Sequence, residues 1–131
     1  MQKVELYDTT LRDGAQTEGI SYSVQDKVRI ARKLDALGVH FIEAGWPANP
    51  KDREVFEILK SKPLTQASLV AFGSTRRADK KVTIDASIKS ILAVETRVVT
   101  IFGKTWDLHI QDVLKISLDE NLKIIEDTVK Y

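Results

Sequence analysis

The run Asp8-Thr9-Thr10-Leu11-Arg12-Asp13-Gly14 sets a guanidinium beside a carboxylate in a short segment closed by glycine. A hard divalent cation takes oxygen ligands, and Asp13 can supply one. Arg12 presents a planar fork of fixed N–H donors, which suits a substrate carboxylate or a developing oxyanion. The same residues also make ordinary turn and ion-pair contacts, so spacing alone leaves a structural and a binding reading open. Glu43 lies in the apolar run Phe41-Ile42-Glu43-Ala44-Gly45-Trp46-Pro47. A carboxylate there is costly to bury unpaired, and Arg12 is the expected partner. A part in catalysis and a purely structural pairing both account for it. Gln16 can hydrogen-bond a substrate or brace its loop.

Other polar residues carry weaker signals. Arg76 and Arg77 read as a solvated loop, and Lys104 with Trp106 as a rim, Trp106 packing over the end of the sheet. The histidines are His40, read as a satisfied residue within a strand, and His109, read as lying on a helix surface. Neither belongs to a two-histidine motif, so one carboxylate leaves any metal site incomplete.

The chain has 131 residues, with 20 Lys and Arg against 19 Asp and Glu, and no cysteine. Disulfide frameworks and cysteine-ligated zinc modules are excluded. A net charge of +1 gives no electrostatic footprint for nucleic acid or for an anionic membrane. The start, MQKVELYDTT, lacks a basic run followed by an apolar stretch, and no window approaches about 18 apolar residues. A cytoplasmic location without a membrane span is therefore expected.

The elements that would position these residues follow from changes of hydrophobic period. Val4, Leu6 and Tyr7 form a β-prone run ending at Asp8. Ser23 with Asp26 predicts a helix start, and Val24, Val28, Ala31, Leu34 and Leu37 its buried face. Gly38 stands where a left-handed helix end is wanted. Val39–Glu43 reads as a second strand, Asn49-Pro50 as a cap with proline at the first helical position, and Val55, Phe56 and Leu59 as that helix's core face. Ser68–Phe72 reads as a third strand, followed by a helix packed through Ile84, Ile88, Ile91 and Leu92. Arg97–Phe102 reads as a fourth strand. Ser117 and Glu120 predict a capping box for a last helix packed through Leu118, Leu122, Ile125 and Val129.

Four βα units fill the chain at about 33 residues each, half of a (β/α)8 barrel. A four-stranded doubly wound sheet is the rival topology. Either would place function at the carboxyl ends of the strands. A phosphate-binding doubly wound domain is disfavoured, since no G-x-G-x-x-G or Walker-type run follows the first strand.

Asp8 to Gln16, together with Ile42-Glu43, resembles the start of the 2-isopropylmalate, homocitrate and citramalate synthase superfamily, whose members are metal-dependent (β/α)8 barrels. Gly45-Trp46-Pro47, Asn49-Pro50-Lys51-Asp52, Ala71 to Arg77 and Val99 to His109 are similar to the citramalate synthase branch. The resemblance implies an enzyme condensing acetyl-CoA with a 2-oxo acid, pyruvate giving citramalate on the route to isoleucine. By resemblance, Asp13 matches a ligand of a divalent metal (Mg, Mn or Zn), Arg12 an arginine that contacts the 2-oxo acid and its developing alkoxide, Gln16 a glutamine near the substrate, and Glu43 a glutamate completing the active-site network. It also implies that residues 1–131 are the amino-terminal half of a catalytic barrel. The remaining barrel, its His-x-His metal ligands and a regulatory domain would lie outside this chain. Ala44 stands where the branch usually has glycine, which leaves the 2-oxo acid open, isopropylmalate or homocitrate synthase-like chemistry being the alternative. A half barrel with two free sheet edges is also expected to self-associate.

Overall fold

Each helix begins where the sequence supplies a side-chain cap, and the computed structural model describes residues 3–131 of the chain. Ser23 opens helix α1 (Val24–Ala36) with a full capping box: its Oγ accepts from the Asp26 N–H, and the Asp26 carboxylate accepts from the Ser23 N–H. Gly38, at φ +83°, turns the chain out of that helix in a conformation that costs a residue with a Cβ. Asn49 caps α2 (Pro50–Ser61), with proline in its first turn. Asp85 caps α3 (Ala86–Ala93) by accepting from the Ser87 and Ile88 N–H groups. Ser117 caps α4 (Leu118–Lys130) by accepting from the Glu120 N–H, but the return bond from Glu120 is not formed, so this is half of the expected box.

Between the helices run four strands: β1 (Tyr7–Asp8), β2 (Phe41–Gly45), β3 (Ser68–Ser74) and β4 (Val98–Phe102). Their order in the sheet is β1-β2-β3-β4, and every neighbouring pair is parallel. This order decides between the two topologies. A doubly wound sheet reverses direction at a switch point, whereas strands added always on the same side keep their helices on one face and wind toward a barrel. The chain is four βα units of a (β/α)8 barrel.

The core lies between the sheet and its helices, around Leu11, Val28, Ile42, Val55, Phe56 and Ile91. The expected face of α2 is the observed one, Val55, Phe56 and Leu59 all being buried. Three apolar faces differ from expectation. Leu37 lies beyond the end of α1 and is exposed. Ile84 falls in a 3-10 turn ahead of α3 and Leu92 on that helix's outer side, which leaves Ile88 and Ile91 to pack. On α4 the buried residues are Asn121, Ile124 and Thr128, while Leu118, Leu122 and Val129 face outward. Two stripes of that helix satisfy a helical period, and hydrogen bonds select the more polar one. Asn121 Nδ2 donates to the Lys104 carbonyl, and Thr128 Oγ1 accepts from the Arg76 N–H.

Candidate active site

The loop after β1 is wound tightly before it reaches Arg12. The Thr10 N–H and hydroxyl both donate to the Asp8 carboxylate, and the Thr9 carbonyl accepts from the N–H groups of Arg12, Asp13 and Gly14. Leu11 is fully buried and anchors the loop to the core. Arg12 and Asp13 are therefore carried at the carboxyl end of the first strand on a fixed backbone.

Glu43 reaches the same place from β2. Its partner on β3 is Val70, whereas Gly45 pairs with Ala71, so Ala44 is an extra residue in the ladder. Such a bulge bends a strand and re-aims its side chains. Beyond it, Gly45 has φ +150°, and a Cβ there would lie 2.4 Å from the Asp52 Cγ. That space is taken by a buried ion pair: Lys27 Nζ donates to Asp52 Oδ1 at 2.5 Å, and Asp52 Oδ2 accepts from the Trp46 N–H at 3.0 Å. The pair clamps α1, α2 and the end of β2 together directly behind the site.

Glu43 is 1% exposed and takes two strong donors. Arg12 Nε donates to Oε1 at 2.5 Å, as its burial demanded, and the Tyr7 hydroxyl donates to Oε2 at 2.5 Å. Tyr7 Oη also shares a hydrogen bond with Thr100 Oγ1, which ties β1 to β4 across the inner face of the sheet. Burial, and next the bond to Glu43, push the Tyr7 phenol up to about 12, so at neutral pH it stays the proton donor. Arg12 NH1 donates to Asp13 Oδ1 at 3.0 Å, and the guanidinium carbon stands 4.0 Å from the centre of the Phe72 ring. Three interactions thus fix the plane of the guanidinium, and among the described residues its NH2 has no partner.

The structure brings together Arg12, Asp13 and Glu43. Gln16, in the 3-10 turn Gly14–Gln16, joins Arg12 in lining a pocket of about 330 Å³ with Tyr22, Trp46, Asn49 and Phe72. A roomier groove of about 600 Å³ runs outside the sheet between α2 and α3, and it contains none of the four expected site residues. Among the described residues no group of three or more His, Cys, Asp or Glu is placed to hold a metal ion. Asp13, 63% exposed with Oδ2 uncommitted, fits the part of a single oxygen donor.

Residues expected at the margin fall elsewhere. Arg76 is not solvated: its guanidinium pairs with Asp127 at 2.8 Å and donates to the Arg77 and Lys80 carbonyls, joining the loop after β3 to α4. Arg77 is exposed, as expected. His40, expected within a strand, lies just ahead of β2, where its Nδ1 accepts from the Leu6 N–H, a structural contact. His109 begins a π-helical turn (His109–Leu114) and meets Trp106 edge to face, but Trp106 is otherwise exposed instead of covering the sheet's end. Tyr7, Phe72 and Thr100 were not singled out as site residues in the sequence, because strand register and a contact between β1 and β4 bring them together.

A model of the HMGL-like family matches residues 3–131. The chain is 57% identical over 131 residues to the (R)-citramalate synthase of Aquifex aeolicus, covering 99% of this chain and 25% of that protein. It is 60% identical over 127 residues to the (R)-citramalate synthase of Synechocystis sp., covering 96% and 23%. It therefore spans about a quarter of the length of these relatives. Among solved structures, the HMG-CoA lyase of Bacillus subtilis superposes with a TM-score of 0.70 at 20% identity over 98% of this chain and 42% of that one, a likeness of fold. Among the described residues no helix is long and apolar enough to cross a membrane. By sequence over nearly its whole length, and by the barrel winding of its strands, the chain belongs to the HMGL-like family.

Proposed function

We propose that these residues form the amino-terminal half of the catalytic barrel of a citramalate synthase-type acyltransferase, and that their site binds the 2-oxo acid. The supporting observation is the Arg12 guanidinium, fixed by Glu43, Asp13 and Phe72 at the carboxyl ends of the strands with one donor edge free. The identity of more than half of the residues to (R)-citramalate synthases favours pyruvate as the acceptor.

In the reaction, the methyl carbon of acetyl-CoA gives up a proton to a general base and bonds to the keto carbon of pyruvate, the keto oxygen takes up the negative charge and then a proton, and water cleaves the thioester to release CoA. Arg12 holds the pyruvate carboxylate or the forming oxyanion, where a preset cation is worth most. Glu43 positions Arg12, and the Tyr7 hydroxyl keeps Glu43 in place. Gln16 donates to substrate from the pocket wall. Asp13 is the residue here that would hold a divalent cation, whose chemistry is to polarise the keto group. Because Asp13 is the single ligand these residues bring, the 131-residue chain alone is inactive in this reading.

Two experiments test it. Calorimetric titration of the chain with Mn²⁺ and pyruvate, followed by a CoA-release assay with acetyl-CoA, is expected to show no saturable binding and no turnover. Replacing the corresponding region of the Aquifex aeolicus protein by residues 1–131 is expected to give an enzyme that forms citramalate, identified by mass. An inactive but folded chimera, or one that prefers a bulkier 2-oxo acid, contradicts the proposal.

A further inference from the structure

The Lys27–Asp52 pair behind the pocket is built for more than joining two helices. Lys27 is 5% and Asp52 8% exposed, and they come from the amino-terminal ends of α1 and α2. A buried ion pair is a weak source of stability, since an apolar pair of similar volume joins two helices about as well. An apolar pair, however, cannot accept a hydrogen bond. Asp52 Oδ2 accepts from the Trp46 N–H at 3.0 Å, and this bond carries the grip of the pair onto the segment that follows β2.

The backbone is shaped to admit that carboxylate. Gly45, with φ +150° and no Cβ, leaves the space that the Asp52 carboxyl fills. Asp52 is the third residue of α2, where an acidic side chain ordinarily turns back to the N–H of the cap residue. Here the Asn49 N–H donates to the Trp46 carbonyl at 2.9 Å instead, so the Asp52 carboxylate is left to face Lys27 and Trp46.

Every hydrogen-bonding group of Trp46 is thereby engaged, because its indole Nε1 also donates to Ser87 Oγ, on α3, at 3.1 Å. The indole lies against β3, where a Cβ on Gly73 would fall 3.7 Å from Nε1. The residue before Gly73 is Phe72, whose ring carries the Arg12 guanidinium, and Trp46 lines the pocket with both. The bonds that fix Trp46 all lie within α1 and the second and third βα units.

We propose that Lys27 and Asp52 are positioning residues that act through Trp46: Lys27 holds the Asp52 carboxylate, the carboxylate holds the Trp46 backbone, and the indole so placed sets the width of the pocket beside Arg12. The pair then governs which 2-oxo acid fits and how well it binds, an inference that rests on the acyl-transfer reading above. Two double variants of the chimera, both without the ion pair, isolate the bond to Trp46. Lys27→Met with Asp52→Asn keeps an acceptor for the Trp46 N–H, and Lys27→Met with Asp52→Leu removes it. With both shown folded by circular dichroism, K27M/D52L is expected to raise the KM for pyruvate about tenfold with kcat within about threefold. Its preference for pyruvate over 2-oxobutyrate, as a ratio of kcat/KM, is expected to fall about tenfold, the scale of discrimination against one methylene. K27M/D52N is expected to stay within about threefold of the unsubstituted chimera in both respects. Hydrogen exchange at the Trp46 N–H is expected to be about tenfold faster in K27M/D52L than in K27M/D52N, a readout independent of activity. Equal KM and equal preference in the two variants overturn the proposal, whether or not the exchange differs, because a merely structural pair predicts that result. If the double variants do not fold, Ser87→Ala frees the indole from α3 with the ion pair intact, and an unchanged substrate preference there overturns the proposal in their place. An unsubstituted chimera that folds but forms no citramalate contradicts the functional reading instead, and exchange at the Trp46 N–H then decides whether the pair pins that residue.

Discussion

Glu43 and Asp35 are both buried carboxylates beside the sheet, and they are held in opposite ways. Asp35, at the end of α1, accepts from the N–H groups of Thr65, Gln66 and Ala67 and from the Thr65 hydroxyl, all at 2.7–2.8 Å, just ahead of β3. Its oxygens are saturated by backbone, and the result is a joint between two chain segments. Glu43, at the other end of the strands, accepts only from the side chains of Tyr7 and Arg12. Its anchor is a cation with a donor edge left open to a pocket. The contrast matches barrel logic, in which the amino-terminal end of the strands holds the fold and the carboxyl-terminal end holds the chemistry. A buried charge is thus better classified by what binds it than by its burial.

Substitutions at both ends sharpen this difference. The largest stability loss is expected from Arg12→Ala, which leaves Glu43 buried without its cation: about 3–5 kcal/mol by urea denaturation. Asp35→Ala orphans three backbone N–H groups and should cost about 3 kcal/mol, while the same substitution in the chimera leaves turnover within about twofold. Asp35 also predicts an acid limb. Burial would raise its carboxyl, but the N–H groups of Ala67, Thr65 and Gln66 hold it at about 2. A lowered pKa in the folded state contributes stability above the ordinary value of 3.8 that disappears as pH falls through about 2. Roughly 2 kcal/mol of stability is therefore lost across that window in the wild type and not in Asp35→Ala.

Gly45→Ala forces a Cβ against the Asp52 carboxyl and is expected to cost about 2 kcal/mol, measured as a lower melting temperature. Tyr7→Phe removes one donor from Glu43. It should cost about 1 kcal/mol and eliminate the tyrosinate absorbance change near pH 12. The smallest effect is expected at Glu120→Ala, under about 0.5 kcal/mol, because the Glu120 side chain does not complete its capping box.

Much of this was legible in the sequence where the determinants are local. Ser23 with Asp26 and Asn49 with Pro50 mark helix starts because caps act within three residues. The pairing of Arg12 with Glu43 was also readable, since an apolar run cannot hold a bare carboxylate. Tyr7, Phe72 and Thr100 were not. Their contribution depends on strand register and on a contact spanning 93 residues, which no local pattern encodes. The α4 face was misread because its more apolar stripe is the exposed one. Its buried polar residues are explained only by bonds to Arg76, in the loop after β3, and to the Lys104 carbonyl, in the loop after β4.

The most direct test of Arg12 as the 2-oxo acid ligand is the rate of citramalate formation by the chimera carrying Arg12→Lys. The lysine keeps the charge but cannot bond Glu43 and substrate through one rigid plane. A fall in turnover of about 100-fold or more, with the melting temperature changed by only a few degrees, is the expected result. Turnover within about threefold of the unsubstituted chimera would contradict it and would leave the Arg12–Glu43 pair a structural contact.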